Sequence, residues 1–388
     1  MDFELSDEQQ FLREAARGAL SRHPTVEAAR EALDGGERLD LWDVGREAGW
    51  PGLVVSDAHG GAGLGALDAM LVMAETGRVL ASVGLLGHVP ATAILDSTEG
   101  EHDDLLRALA DGEKRASFVA AQPPEHEGGS WTVDPETGHG RNPAPQATFD
   151  DGQTTVTGTV AWVPDAPEAD VLVVVATGDD GSPVAVLIEA NAAGVTIEPV
   201  TRYDATRSLG HVRLENAAGA SLGVDEDVLR SAWHLTQGLI GAESLGAVET
   251  CLEVSVAYAK ERYTFGRAIG SYQAVKHGLV EILRRLENAR SLMYYAGWAR
   301  QDAPGEFPLA ASAARVAAGG ALDYAARENI SVHGGIGATW EHDAPLFFRR
   351  AQLNRRLLGG AGGATDRVAG ELLAASGTAG AGDAQQAT

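Results

Sequence analysis

The sequence predicts an α+β multi-domain protein with an N-terminal helical domain, a middle β-barrel or sandwich domain and a C-terminal four-helix bundle. Three observations predict it. Apolar residues recur at helical spacing through the first 115 residues, short β-rich runs take over from Ala116, and long helical periodicity resumes after Asp225. The implied domains are residues 1–115, 116–224 and 225–375, with a low-complexity tail at 376–388. At 388 residues and 44% hydrophobic content, the chain can bury more than one core.

Each element follows from local chemistry. Ser6 N-caps a first helix through Leu20, with acids and amides in its first turn and Phe11, Leu12, Ala15 and Ala19 as its apolar positions. Further helices are expected at Leu39–Ala48, Gly65–Leu80, Val89–Ser97 and His102–Ala110, separated by Gly and Pro clusters. The runs SFVAAQ, ATFDDGQTTVTGTVAWV, ADVLVVVAT, SPVAVLIEA, GVTIEPV and HVRLEN give about six to eight short strands. Helices return at Val228–Glu261, Tyr272–Gln301, Leu309–Ser331 and Ala344–Leu357.

Composition excludes several function classes. A net charge of −25 opposes bulk nucleic-acid binding, which needs clustered cations. Cys251 is the single cysteine and lies in an apolar helical run, so no disulfide framework or thiolate zinc site is available. The 11 histidines show no HExxH or paired metal spacing. No window is apolar enough to span a membrane, and MDFELSDEQQ is acidic where a signal peptide is basic. A cytoplasmic protein is expected.

The most informative stretch is Tyr258–His277, YAKERYTFGRAIGSYQAVKH. It reads as a helix end, a cationic elbow broken at Phe265–Gly266 and a second helix start. An arginine such as Arg262 at that elbow can clamp a diphosphate, while Thr264 and Gln273 can hydrogen-bond ribose, phosphate or a ring edge.

With this stretch, the order helices, β-domain, long helices resembles the acyl-CoA dehydrogenase family over nearly the whole chain. Ser56–Arg78 is similar to that family's Gly-Gly-x-Gly segment and following helix, and Lys260–His277 and Ser331–Ala351 match its two most specific motifs. The resemblance implies that Arg262, Thr264, Phe265 and Gln273 reach across a subunit interface to FAD bound mainly by a neighbour. Gly334 and Gly335 would let the backbone approach the same cofactor. The plainer readings are an Arg262 that caps a helix C-terminus and a Phe265 in the core. Ser331 stands where the family usually has glutamine.

Other positions depart further. Trp162 matches the family tryptophan that stacks on the flavin, or is an ordinary core residue. Pro164 replaces a threonine whose hydroxyl bonds the flavin ring, and proline offers neither hydroxyl nor N–H. The loop Phe118–Trp131 matches a flavin-binding loop only loosely.

The family's reaction needs a carboxylate to take the proton α to a thioester. Its two known positions fall here on Leu358 and Thr236, and neither side chain can act as that base. Gln237 stands where a CoA-binding arginine is usual. Glu243 lies two turns beyond Thr236, roughly 10 Å along the helix, and is either a displaced base or a polar residue on a domain-facing helix. Glu341 and Asp343 are expected to orient a loop or pair with Arg349 or Arg350.

Residues lent to a neighbour's FAD are kept while those for this chain's own flavin and base are lost. The resemblance therefore implies a non-catalytic, FAD-sharing subunit of an α2β2 heterotetramer with a catalytic acyl-CoA dehydrogenase paralogue, some such members acting on steroid side-chain thioesters. A self-sufficient FAD homotetramer using Glu243 and a flavin-free scaffold are the alternatives. Two further motifs lack their context. Gly219–Gly223 matches G-x-S-x-G without an α/β repeat around it, and Gly61–Ala66 resembles a dinucleotide fingerprint without a βαβ unit.

Overall fold

Ser6 accepts a hydrogen bond from the Gln9 N–H while its own N–H donates to Gln9 Oε1, the capping box expected at the start of α1 (Asp7–Leu20). The computed structural model describes residues 4–383 apart from 99, 101, 124–133, 137–141, 151 and 202, with the backbone alone for 375–383. Five more helices follow: α2 (Thr25–Leu33), α3 (Trp42–Glu47), α4 (Ala66–Arg78), α5 (Leu85–Leu95) and α6 (Asp103–Ala110). The sequence reading left α2 unassigned. Its face is carried by Val26, Ala29 and Leu33 in a short run between Pro24 and Gly35–Gly36, less than three full turns.

Among the described residues, seven strands then form one sheet: β1 (Ala116–Val119), β2 (Gln146–Asp150), β3 (Gln153–Pro164), β4 (Val171–Thr177), β5 (Pro183–Glu189), β6 (Val195–Pro199) and β7 (Leu209–Ser221). Pairings run β4–β2–β3–β7–β5 and back to β4, so the sheet closes on itself, with β1 added to β4 and β6 to β7. The run Val171–Ala176 is buried on both faces. Leu172 and Val174 point into the barrel with Val160, Ile188, Val212 and Leu214, while Val171, Val173 and Val175 pack on the helical core. That two-sided burial is why β4 reads as a continuous apolar run rather than an alternating one.

The C-terminal part comprises α7 (Glu226–Glu261), a hairpin of β8 (Tyr263–Thr264) and β9 (Arg267–Ala268), then α8 (Gln273–Asp302), α9 (Phe307–His333), α10 (Ala344–Asn354) and α11 (Gly360–Asp383). α11 thus continues into residues expected to form the tail. Helix α7 crosses α4 in backbone contact: a Cβ on Gly246 would sit 1.7 Å from the Ala74 carbonyl oxygen, and one on Gly77 1.9 Å from that of Glu243. One apolar core therefore runs from the N-terminal helices through α7 into α8 and α9. Among the described residues no helix is long and apolar enough to cross a membrane.

Candidate functional site

Two regions carry the residues singled out by sequence, one on the surface and one inside. At the surface, the expected elbow is a β-hairpin rather than a bare break between helices. Tyr263 pairs with Ala268 and Thr264 with Arg267, leaving Phe265 (φ 50°) and Gly266 (φ 80°) as the two loop residues. Positive φ at both is the type I′ turn that suits a two-residue hairpin. Phenylalanine rarely adopts it, and here the ring is 98% exposed, so the core reading of Phe265 fails. Arg262 is the C-cap of α7. Its N–H donates to the Tyr258 carbonyl at 2.9 Å, and its exposed guanidinium has no ion-pair or hydrogen-bond partner among the described residues.

Thr264 is half-buried, its carbonyl accepting from the Tyr272 hydroxyl at 3.2 Å, and Gln273 is exposed as the first residue of α8. Gly334 (φ 66°) ends α9, and a Cβ on Gly334 or Gly335 would meet nothing within 4 Å. The Tyr258 ring lies 4.3 Å from that of His333, which lies 4.2 Å from that of His342. This stack brings the Arg262 end of α7 and the double glycine together. The result is an open surface carrying the exposed Arg262 guanidinium, exposed backbone and an exposed aromatic ring, a donor set suited to a phosphate-bearing group.

Inside, Thr236 and Leu358 flank Gln237. The Thr236 hydroxyl donates to the Ala232 carbonyl at 2.8 Å, within its own helix. The Gln237 amide donates to the Leu358 carbonyl at 3.1 Å and accepts from Arg315 Nε at 3.2 Å. Fully buried Arg315 also donates through Nη2 to the carbonyls of Leu357 and Asn354, and burial pulls its pKa down to about 10. These bonds fix a turn in which Leu358, Gly359 and Gly360 all have positive φ. Behind it lies a cavity of about 570 Å³ between α7, α9 and α11. Its carboxylates are Asp366 and Glu371 on α11, both exposed, which sequence reading did not single out because α11 itself was not foreseen.

Glu243 lies about two turns further along α7. Its carboxylate accepts from Arg350 Nη1 at 2.8 Å, from Asn354 Nδ2 at 2.8 Å and from Arg207 Nη2. Burial pushes its pKa up, but the Arg207 and Arg350 guanidiniums outweigh that and hold it below the ordinary carboxylate value. Arg350 Nε also donates to Asp204 Oδ2 at 2.6 Å. The expected partners of Arg349 and Arg350 are thus corrected: Asp343 pairs with Arg30 of α2, Arg349 donates to the Tyr203 carbonyl at 2.8 Å, and Arg350 turns inward because two buried carboxylates offer it the stronger field.

In the barrel, a bulge between Val160 and Val163 puts Trp162 at φ 56°, and the ring packs against the helical core rather than inside the barrel. Pro164 pairs with Leu209, and its carbonyl accepts from the Ser117 hydroxyl at 2.9 Å, so no hydroxyl or N–H is presented at this position. Residues 124–131 of the expected flavin-binding loop lie outside the described residues. The described residues therefore fit the distal half of FAD on the surface better than a flavin ring at Pro164. Gly219–Gly223 falls at the end of β7 and Gly61–Ala66 between helices, so neither has its motif's context. Among the described residues no cluster is placed to hold a metal.

The family model for the acyl-CoA dehydrogenase C-terminal domain matches residues 226–373, and that for the N-terminal domain matches residues 6–113. The chain is 31% identical over 355 residues to the acyl-CoA dehydrogenase IpdE2 of Mycobacterium tuberculosis, covering 91% of this chain and 93% of that protein. It belongs to the acyl-CoA dehydrogenase family. Among solved structures, the Tcur3481–Tcur3483 steroid ACAD is 28% identical with a TM-score of 0.84, covering 97% of this chain and 100% of that one. The ChsE4–ChsE5 complex from Mycobacterium tuberculosis is 26% identical with a TM-score of 0.82, covering 96% of this chain and 99% of that one. The acyl-CoA dehydrogenase fold anticipated from element order is thus the fold observed.

Proposed function

We propose that this acyl-CoA dehydrogenase family chain is a base-lacking subunit that shares FAD with a catalytic acyl-CoA dehydrogenase paralogue in an α2β2 complex. When bound, FAD accepts the β-hydride as an acyl-CoA is dehydrogenated. This chain's part is to hold the cofactor's distal half: Arg262 for the diphosphate, Thr264 and Gln273 for hydrogen bonds, and Gly334–Gly335 for backbone approach. The observation that carries the reading is the pairing of an open surface at Arg262, Phe265 and Gly334 with Thr236 and Leu358 at the two base positions. Two similar structures are complexes of two differently named chains, and one is called a steroid ACAD, which supports a paralogue partner and a bulky acyl-CoA.

The self-sufficient alternative asks Glu243 to act as base. Its oxygens already accept from Arg207, Arg350 and Asn354, and an anion so stabilised is a poor proton acceptor at neutral pH. Purifying the chain alone and with a catalytic paralogue, then recording visible spectra, tests the proposal. Flavin only in the co-purified complex is expected. A stoichiometric flavin band in the chain alone, bleached by acyl-CoA, would sink it, and no flavin in either would leave the scaffold reading.

A further inference from the structure

Where the start of α5 meets the loops after β3 and before β7, the fold closes around a cavity of about 10 Å³, the room one water molecule needs. It shares no wall residue with the cavity beside α11. Three parts of the chain meet on its wall: Leu85 and Leu86 of α5, Asp165 and Arg207 of the barrel, and Glu243 of α7.

The donors here outnumber their partners. The Arg207 side chain is 5% exposed, and its Nη2 donates to Glu243 and, at 3.2 Å, to Asn354 Oδ1, while its Nε is buried with no partner among the described residues. A buried guanidinium N–H left unmet is costly. The first turn of α5 has no side-chain cap. Its Gly87 N–H donates to Asp165 Oδ2 at 2.9 Å, whereas the N–H groups of buried Leu85 and Leu86 have no acceptor among the described residues.

The acceptor stands across the gap. Burial raises the Asp165 pKa to about 6 and the charge of Arg207 works against that, yet the two side chains make no direct hydrogen bond or ion pair among the described residues. Opposite charges that sense each other without touching, across a water-sized gap, call for a bridging molecule. A halide would suit the donors but would face the Asp165 and Glu243 carboxylates. A water can turn to donate to the ionised Asp165 carboxyl or to accept from the protonated one.

We propose that one water molecule is built into this cavity, accepting from Arg207 Nε and from the Leu85 or Leu86 N–H and donating to Asp165. It joins the N-terminal helices to the barrel beside α7. The site needs neither FAD nor a partner subunit, so it stands or falls apart from the subunit reading above.

Crystals of the full-length chain grown at pH 8, one native and one soaked in bromide, test it directly. One non-protein density peak within hydrogen-bond distance of Arg207 Nε and of Asp165 is expected in both, without an anomalous bromide signal. In solution, the deuterated chain should show a water cross-peak at the Leu85 or Leu86 amide with the sign of an immobilised water. Asp165→Asn, an amide that suits the φ of 60° there, should keep that cross-peak. Asp165→Leu, which removes the acceptor and fills the space, should lose it. The unmodified chain and the asparagine variant decide the matter if the leucine variant does not fold. A direct Arg207–Asp165 hydrogen bond, a cavity without density, a bromide ion at the site, or a cross-peak that survives in folded Asp165→Leu would each overturn the proposal.

Discussion

The Tyr258 and His333 rings stack with centroids 4.3 Å apart and planes inclined by 34°, fastening the last turn of α7 to the last residue of α9. His333 is held by its Nδ1–H, which donates to the Asn329 carbonyl at 2.7 Å, and its ring also lies 4.2 Å from that of His342. An aromatic contact of this kind contributes about 0.5–1.5 kcal/mol beyond the area it buries. Tyr258→Ala is therefore expected to lower stability by about 1–2 kcal/mol and to reduce the flavin retained by the complex, whereas Tyr258→Phe keeps both. Urea unfolding and the flavin-to-protein ratio read the two effects. A stable Tyr258→Ala protein with full flavin content would show that the stack does not organise the surface.

Phe265 should respond with opposite signs in the free chain and in the complex. A bulky L-residue at φ 50° is strained by about 1–2 kcal/mol, and a ring 98% exposed recovers nothing from burial in the isolated chain. Phe265→Gly is expected to raise the stability of the chain alone by about 1 kcal/mol and to weaken association with the paralogue. Thermal melts of the chain and size-exclusion chromatography of the mixture measure the two. Weakened folding of the free chain with unchanged association would count against an interface role.

These features explain which parts were legible in sequence. Element order and the Ser6 cap follow from periodicity and local hydrogen bonding, both of which a short window records. The hairpin did not, because its turn begins with phenylalanine rather than the Asn or Asp that usually announces type I′. Trp162 could be matched to a motif but not placed, since a bulge shifts the face of every residue after it. The buried ions were invisible for a different reason: Arg207, Asp204, Glu243 and Arg350 lie on three separate stretches, and only the fold brings them together.

That ion cluster makes a pH prediction with two opposite limbs. Glu243 and Asp204 have folded pKa values below their unfolded ones, so the stability they contribute is present above about pH 4–5 and is lost as pH falls through the folded values. Asp165 behaves in reverse. Burial raises it from 3.8 to about 6, so its contribution is full below pH 3.8 and is lost as pH rises through 6. Glu243→Gln, which leaves Arg207 and Arg350 short of a counter-charge, should cost about 3–5 kcal/mol at pH 7 and flatten the acid limb. Asp165→Asn, which can still accept from the Gly87 N–H, should gain up to about 2–3 kcal/mol at pH 7 and little at pH 4. Denaturant unfolding across that range measures both. A loss of stability for Asp165→Asn at pH 7 would show that its anion is paired rather than stranded.

Leu358→Glu gives the sharpest separation of a shared from a self-contained site. The side chain is buried at the cavity wall in a left-handed turn whose carbonyls are held by Gln237 and Arg315, so a carboxylate placed there occupies the family's base position without rebuilding the backbone. Burial of a new acid should cost about 1–3 kcal/mol and raise its pKa, both tolerable in a cavity open to solvent on the α11 side. A base alone does not oxidise a thioester. If the hydride acceptor is held by the partner's half of the site and Pro164 prevents a flavin from seating here, Leu358→Glu purified alone and supplied with FAD should show no acyl-CoA dehydrogenation with an artificial electron acceptor. The complex containing it should turn over at the rate of the unmodified complex. Activity appearing in the isolated variant would mean that this chain seats a flavin of its own, that Pro164 is no barrier, and that loss of the base alone separates it from a complete enzyme.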